Sequence, residues 1–299
     1  MRVSYSDGYV IPLPPGHPFP MQKFSLLHQY LLDEGLLERQ HVVKPRQADW
    51  SDLLQVHSTE YLSGLAAGTL SREAIRKMGF PWSPALVRRS RLAVQGTINA
   101  ALMALEDGIA ANLAGGTHHA FPDHGEGFCV LNDVAVAIRV LEQSKWIRRS
   151  LVIDLDVHQG NGTAAIFAED EDTFTFSLHG AKNYPFEKPA SSLDVALPDR
   201  TTDTAYLERL RRALPGALRQ SRPDIVFYLA GIDVVDGDRF GRLSLTTSGL
   251  EQRDRFVLQT IRDSGIPLVL LLSGGYAETP LKTANLHATA HHAARAIYG

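Results

Sequence analysis

The sequence predicts an α/β fold built on a single, mainly parallel β-sheet with helices on both faces. Short, nearly continuous apolar runs are typical of strands covered on both sides, and they occur at 110–114, 151–156, 173–178, 225–230 and 267–272. Amphipathic segments alternate with them, at 84–106, 132–144, 204–221 and 249–263. Regular alternation of strand and helix predicts βαβ units and therefore parallel strands. The 299 residues contain neither a repeat nor a convincing linker, so we predict one domain over 1–299.

Two of the helices have recognisable beginnings. Ser83 and Pro84 supply an N-cap and a proline at the first helical position for the helix at 84–106. Ser248, followed three residues later by Glu251, predicts a capping box for the helix at 249–263.

The composition excludes several classes of protein. With 44% hydrophobic and 21% charged residues, the chain is not a disordered one. Its 30 basic and 33 acidic residues give a net charge of −3, which argues against a nucleic-acid-binding surface. Cys129 is the single cysteine, so an intrachain disulfide and a Cys-rich zinc site are excluded, whereas 12 histidines allow a His/Asp/Glu metal site.

The sequence shows no targeting or membrane signal. No apolar run reaches the ~18 residues of a membrane-spanning helix, and the first twenty residues carry charges and prolines where a signal peptide would be apolar. We therefore expect a cytoplasmic protein without membrane partners.

Polar residues follow four of the predicted strands. In chain order these segments are Gly115-Gly116-Thr117-His118-His119, Asp154-Leu155-Asp156-Val157-His158, Gly231-Ile232-Asp233 and Ser273-Gly274-Gly275-Tyr276. Ligands of parallel α/β sheets bind outside the carboxyl ends of the strands. We therefore expect these four segments to form one site.

The segment that contains Asp154, Asp156 and His158 favours a metal site. Alternate side chains of an extended strand share a face, so these three should point the same way. Carboxylates and imidazole suit zinc or another divalent ion, and a cation between two buried carboxylates removes their repulsion. The alternative, N-terminal caps for the following helix, requires one such residue and not three.

The remaining strand ends offer acid/base groups. Gly115 and Gly116 allow a close approach of backbone or substrate to His118 and His119, which are then candidates for proton transfer. The hydroxyl of Tyr276 could donate a hydrogen bond to a developing oxyanion.

Taken together, the motifs resemble the zinc-dependent histone deacetylase family, whose members have the arginase–deacetylase α/β fold. The resemblance runs in order through His17-Pro18-Phe19, Val56-His57 to Tyr61-Leu62, GGTHHA at 115–120, Gly127-Phe128-Cys129 to Asn132-Asp133, IDLDVHQGNG at 153–162, Ser177-Leu178-His179, AGIDVVDGDRFGRLSLT at 230–246 and SGGY at 273–276. Gln159, Asn161 and the DVVDGDRFG run are most similar to class IV, the eleven-type branch, and its bacterial relatives.

The resemblance implies a role for each matching residue. Asp156, His158 and Asp233 would bind a catalytic Zn²⁺. His119 would act as general base toward water and then as acid toward the leaving amine, with His118 as its electrostatic partner. Tyr276 would stabilise the oxyanion.

The family also implies supporting residues. Asp154 would stand behind His118 and Asn161 behind His119, where many members have an aspartate. Because an amide carries no charge, we expect His119 to have a lower pKa than with an acid behind it, so that Asn161→Asp shifts the pH–rate profile. A structural K⁺, bound mostly by backbone oxygens, would match Asp154, Asp156, His158, Ser177 and Leu178.

The implied substrate is an acylated lysine or a similar amine held in a tunnel. Gly127 and Phe128 match one wall, and Tyr184, with Phe186 in reserve, is the candidate for the other. Acetyl and longer fatty acyl groups both remain open, as do histone involvement and oligomeric state. The alternatives are an acylpolyamine hydrolase, a two-metal ureohydrolase-like enzyme and an inactive binding module.

Other polar residues are interpreted as structural. We expect surface or packing roles for His28, His41, His287, His291 and His292. Asp123 and His124 are expected in a solvated loop, and Cys129 is expected to be buried and not catalytic. The basic clusters Arg88-Arg89-Ser90-Arg91 and Arg209 to Arg212 are predicted to be solvated helix faces.

Overall fold

An eight-stranded sheet forms the centre of the computed structural model, which describes residues 1–299. Its strands are β1 (Arg2–Ser4), β2 (Val42–Val43), β3 (Ile109–Asn112), β4 (Ser150–Asp154), β5 (Thr173–Gly180), β6 (Leu193–Leu197), β7 (Ile225–Leu229) and β8 (Leu268–Leu271). Their order is β2-β1-β3-β8-β7-β4-β5-β6, and every neighbouring pair is parallel. The predicted parallel sheet is confirmed.

The five predicted strands are all present, and their ends differ from the predicted ones by at most two residues. β3, β4, β7 and β8 are buried at every residue, so both faces of the sheet are covered, as the continuous apolar runs indicated. The sequence analysis missed β1, β2 and β6. β1 and β2 are too short for a pattern, and the edge strand β6 alternates half-buried and exposed residues instead of forming an apolar run.

Ten α-helices surround the sheet. They are α1 (Lys23–Asp33), α2 (Trp50–Leu53), α3 (Thr59–Ala67), α4 (Arg72–Met78), α5 (Pro84–Asp107), α6 (Asp133–Gln143), α7 (Asn161–Ile166), α8 (Asp203–Ser221), α9 (Thr247–Asp263) and α10 (Pro280–Tyr298). The four predicted helices correspond to α5, α6, α8 and α9. As predicted, Ser83 caps α5 by accepting a hydrogen bond from the Leu86 backbone N–H.

The predicted capping box of α9 is wrong. The N-cap is Thr246, whose hydroxyl accepts from the Gly249 backbone N–H at 3.0 Å and donates to Asp203 Oδ2 at 2.6 Å. Asp203 also accepts from the Thr246 backbone N–H at 2.8 Å. A carboxylate from α8, distant in sequence, therefore fixes the start of the helix two residues before Ser248.

The order of the strands places the polar segments side by side. β3, β8, β7 and β4 are consecutive in the sheet, and each is followed by one of the four segments singled out in the sequence. Because parallel strands end at the same edge, these segments converge there. None of the helices is both long enough and apolar enough to cross a membrane.

Candidate active site

The loop after β4 places its acidic residues by hydrogen bonds and not by strand alternation. β4 ends at Asp154, whose Oδ1 accepts from the Asp156 backbone N–H at 3.2 Å. Asp156 Oδ1 in turn accepts from the His158 backbone N–H at 2.9 Å. The premise of an extended strand through His158 is therefore wrong, but two successive side-chain turns still bring the three residues to one edge of the sheet.

Asp156, His158 and Asp233 form a buried group whose candidate ligand atoms all lie within 4.8 Å of one another. His158 Nδ1 is 3.0 Å from Asp156 Oδ1 and 3.3 Å from Asp233 Oδ2. Asp233 Oδ1 accepts from the Val157 backbone N–H, whereas Oδ2 is buried and makes no hydrogen bond. An unpartnered buried carboxylate oxygen beside another carboxylate and an imidazole fits a divalent cation.

The loop after β8 completes the surroundings of this group. Asp156 Oδ2 accepts from Ser273 Oγ at 2.8 Å and from the Gly274 backbone N–H at 2.7 Å. A Cβ at position 274 would lie 2.0 Å from Asp233 Oδ2, so only glycine fits there. Burial and the neighbouring Asp156 raise the pKa of Asp233, because two carboxylates this close are costly to ionise together.

His118 is held by carboxylates. Its Nδ1 lies 2.6 Å from Asp154 Oδ2, and its Nε2 lies 3.9 Å from Asp156 Oδ1. Burial alone would lower the pKa of His118, but the two carboxylates outweigh it and raise the pKa to about 9. This histidine is thus suited to carry positive charge.

His119 has the opposite environment. Its Nδ1 lies 2.6 Å from Asn161 Oδ1, and burial, followed by the neighbouring His118 and His158, lowers its pKa well below the ordinary value. With Nδ1–H donated to the amide oxygen, Nε2 of the neutral ring is free to accept a proton. The hydrogen bond to Asn161 opposes this lowering, and the expected difference from a site with an acid behind His119 stays a prediction.

Behind Asn161 lies Glu126, a buried residue that the sequence analysis missed. Glu126 Oε1 accepts from Asn161 Nδ2 at 2.6 Å and from the Tyr184 hydroxyl at 2.5 Å, while Oε2 lies 2.9 Å from Lys77 Nζ. A carboxylate facing the amide requires Nδ2 on its side, which leaves Oδ1 for His119. Glu126 therefore fixes the orientation of Asn161 and, through it, the tautomer of His119.

Glu126 also contacts the loop of Asp123 and His124, which was expected to be solvated. His124 lies 2.8 Å from Lys77, 3.4 Å from Glu126 and 2.6 Å from Asp123. Of the two residues expected in solvent, only Asp123 is exposed.

An aromatic-lined cavity leads to the buried group. Gly127 and Phe128 both have a positive φ, at 56° and 65°, and a Cβ on Gly127 would lie 2.6 Å from His119 Cδ2. This strained turn directs Phe128 into the wall, with its ring 5.9 Å from that of Tyr276. The Tyr184 ring lies 5.1 Å from the His119 ring and lines the cavity, whereas Phe186 is 90% exposed at the mouth.

Tyr276 lies between this cavity and a smaller inner one that contains both histidines of the pair. Burial, followed by the charges of Asp156 and Asp233, raises its pKa well above 10. The phenol therefore stays protonated and able to donate a hydrogen bond. Its backbone N–H donates to Asp238 Oδ2 at 2.7 Å, which fixes the turn that carries it.

Three of the five candidate K⁺ residues are adjacent in the sheet, whereas Asp156 and His158 lie in the loop after β4. Asp154 on β4 is paired in register with Ser177 on β5, and Leu178 follows. K⁺ binding itself stays a prediction.

Most of the residues that were predicted to have surface or packing roles do lie at the surface or in packed positions. His287 and His291 are buried in α10, His28 stacks on Tyr5, and Cys129 is buried, which raises the pKa of its thiol above the ordinary value. The cluster from Arg209 to Arg212 presents its arginines to solvent.

The prediction that Arg88-Arg89-Ser90-Arg91 is a solvated helix face is wrong except at Arg88, because Ser90 is buried, Arg91 is half-buried and Arg89 points inward. The Arg89 side chain is buried, donates from Nε to the Tyr9 carbonyl and lies over the Phe24 ring. The buried Lys23, also missed, donates to the Ser273 carbonyl at 3.0 Å, and burial lowers its pKa to about 8. A run of arginines cannot reveal which member faces inward, because that depends on the aromatic residues of another segment.

Comparison with known proteins places the chain in a family. The model of the histone deacetylase domain matches residues 17–292. The chain belongs to the histone deacetylase family. It is 46% identical to an uncharacterized protein of Picosynechococcus sp. over 99% of both chains, and 36% identical to histone deacetylase 2 of Arabidopsis thaliana over 93% of this chain and 75% of that one. It is also 27% identical to the acetoin utilization protein AcuC of Staphylococcus xylosus, over 87% of this chain and 72% of that one.

The fold agrees with this membership. The crystal structure of the HDA15 HD domain superposes with a TM-score of 0.81, covering 99% of this chain and 91% of that chain at 21% identity. The arginase–deacetylase fold expected from the sequence is confirmed. Membership in the histone deacetylase family supports amidohydrolase activity.

Proposed function

We propose that this protein is a zinc-dependent amidohydrolase that removes an acyl group from an ε-acylated lysine. The observation that carries the proposal is the buried group of Asp156, His158 and Asp233, with its unpartnered oxygen, beside the neutral His119 at the base of an aromatic cavity. Two carboxylates and a neutral imidazole balance the charge of Zn²⁺ and leave a coordination position open.

The chain's own residues supply the proton transfers. A bound Zn²⁺ would polarise the substrate carbonyl and lower the pKa of water. His119 Nε2 accepts the proton of the attacking water as the new C–O bond forms, and it returns a proton to the amine nitrogen as the C–N bond breaks. His118, held by Asp154, balances charge beside it. The Tyr276 hydroxyl donates to the carbonyl oxygen as negative charge develops there.

The first test separates metal binding from catalysis. Asp233→Asn should lose zinc and all activity, whereas Tyr276→Phe should keep one zinc per chain while kcat falls by about 10²–10³, the usual cost of one oxyanion donor. Elemental analysis and turnover of an acetyl-lysine peptide measure both. Wild-type turnover by either variant would contradict the mechanism, and two manganese ions per chain would support a ureohydrolase-like enzyme instead.

The acyl group is a second question for the same site. Peptides with acetyl-, octanoyl- and myristoyl-lysine, assayed beside acetylated polyamines, would distinguish a deacetylase, a fatty deacylase of the class IV type and a polyamine hydrolase. Gly127, Phe128 and Tyr184 would contact the acyl-lysine stem. We propose that the whole of 1–299 forms this catalytic domain.

A further inference from the structure

The mouth of the aromatic cavity carries an excess of positive charge. The cavity has a volume of about 450 Å³, and its lining includes four cationic side chains and no carboxylate. The cations are Arg76, Lys77, Lys182 and Arg242, and all four are exposed to solvent. The whole chain has a net charge of −3, so this local excess opposes the overall balance.

Two of these charges are not neutralised within the protein. Lys77 lies 2.9 Å from Glu126, and Arg242 lies 3.4 Å from Asp199. Arg76 and Lys182, in contrast, have no carboxylate oxygen within 4.0 Å, although they come from separate segments, α4 and the loop after β5. Uncompensated cations around a partly enclosed opening raise the local concentration of anionic groups and repel cationic ones.

The position of the charges decides which part of a substrate they meet. The buried group of candidate metal ligands, which includes His158, lies with His119 at the inner end of the cavity. Arg76 and Lys182 are exposed at its outer end. Neighbouring residues of an extended peptide are about 3.4 Å apart, so the residues flanking an inserted acyl-lysine stay at the mouth. A polyamine would bring its remaining ammonium groups to the same cations.

We propose that the mouth selects acyl-lysines flanked by aspartate or glutamate and disfavours acylated polyamines and lysine-rich tails. This inference rests on the proposed deacylase function and adds the sequence class of its substrates. Arg76 and Lys182 act as specificity determinants that hold flanking carboxylates, and the exposed Phe186 beside them offers an apolar contact.

The experiment compares three acetyl-lysine peptides that differ only in the flanking residues: glutamate, alanine or lysine. With the zinc-loaded wild-type protein, kcat/KM should be about 10-fold or more higher for the glutamate peptide than for the lysine peptide, mostly through KM. The difference should shrink between 50 mM and 500 mM NaCl, because exposed charges are screened. Arg76→Glu/Lys182→Glu should reverse the order of the two charged peptides.

The matched control is Arg209→Glu/Arg219→Glu, which changes the net charge equally on α8, away from the cavity. It should retain the wild-type order. Equal kcat/KM for all three peptides would overturn this inference alone. A faster reaction with an acetylated polyamine than with any peptide would overturn both this inference and the acyl-lysine substrate of the proposed function. Failure of the wild-type protein to cleave even the alanine peptide would instead refute the proposed function.

Discussion

At the scale of single residues, the notable feature of the site is the pair of residues behind His119, Asn161 and Glu126. The ring is bonded to a neutral amide, but the Glu126 carboxylate lies directly behind that amide. Compared with a site that has an aspartate at position 161, the negative charge is therefore still present but lies one residue further from the imidazole of His119. A consequence concerns Asn161→Asp, which would place two carboxylates in contact, so the effect expected from the sequence is testable only together with Glu126→Gln.

Glu126→Gln should lower kcat by about 10-fold, the usual range for a group that orients a ligand or catalytic histidine from behind. Glutamine can present either its oxygen or its NH₂ to Asn161, so the amide is no longer held in one orientation. Zinc content should change little, because the group of Asp156, His158 and Asp233 is not altered. Steady-state kinetics with elemental analysis measure these effects.

Tyr184→Phe is the matched control for this variant. It removes the other hydrogen bond to Glu126 Oε1 and leaves the link to Asn161 intact. A loss of kcat as large as that of Glu126→Gln would show that the carboxylate acts through Tyr184 instead.

At the scale of elements, one side chain of α9 holds two of the strand-end loops. Arg253 is fully buried and donates to the Gly231 carbonyl at 2.5 Å and the Leu155 carbonyl at 3.3 Å. Its charge is balanced by Asp254, 2.8 Å away. The loops after β7 and β4 carry Asp233 and Asp156, so this helix sets the separation of the two carboxylates.

Arg253→Met should reduce the free energy of unfolding by about 3–5 kcal/mol, because it leaves the Asp254 charge and two carbonyls buried without their partner. Arg255→Met, two residues away on the exposed side of the same helix, should change it by less than about 0.5 kcal/mol. Urea unfolding of the two proteins tests the difference. Equal stabilities would mean that the buried pair contributes nothing to these loops.

At the scale of the whole molecule, several histidines are buried in the neutral form. Burial lowers the pKa of His57 and His179 to about 4 and that of His291 to about 3. The unfolded chain therefore takes up protons before the folded one as the pH falls below 6.5. Stability is fully present above that pH and is lost progressively toward the lower folded-state values.

His291→Leu should make the protein less sensitive to acid. The variant removes an imidazole whose pKa is lowered by burial and whose buried Nε2 has no hydrogen-bond partner. Each pH unit below 6.5 costs the wild type about 1.4 kcal/mol of unfolding free energy through this histidine. At pH 5 the variant should therefore avoid a loss of stability on the order of 2 kcal/mol. Urea unfolding at pH 7.5 and pH 5.0 measures this loss, and His292→Gln, at an exposed neighbour, should lose stability as the wild type does.

The sequence by itself determined the parallel sheet and the residues that converge at its edge. Buried parallel strands require continuous apolar runs, and their common direction brings Asp156, Asp233 and Tyr276 to one edge whatever the details of the loops. Only the tertiary structure decided which cations remain unpaired at the mouth, that Arg89 turns inward, and that Glu126 stands behind Asn161. These properties depend on contacts between segments far apart in the chain, such as Glu126 and Asn161 at a sequence separation of 35, and no local pattern encodes them.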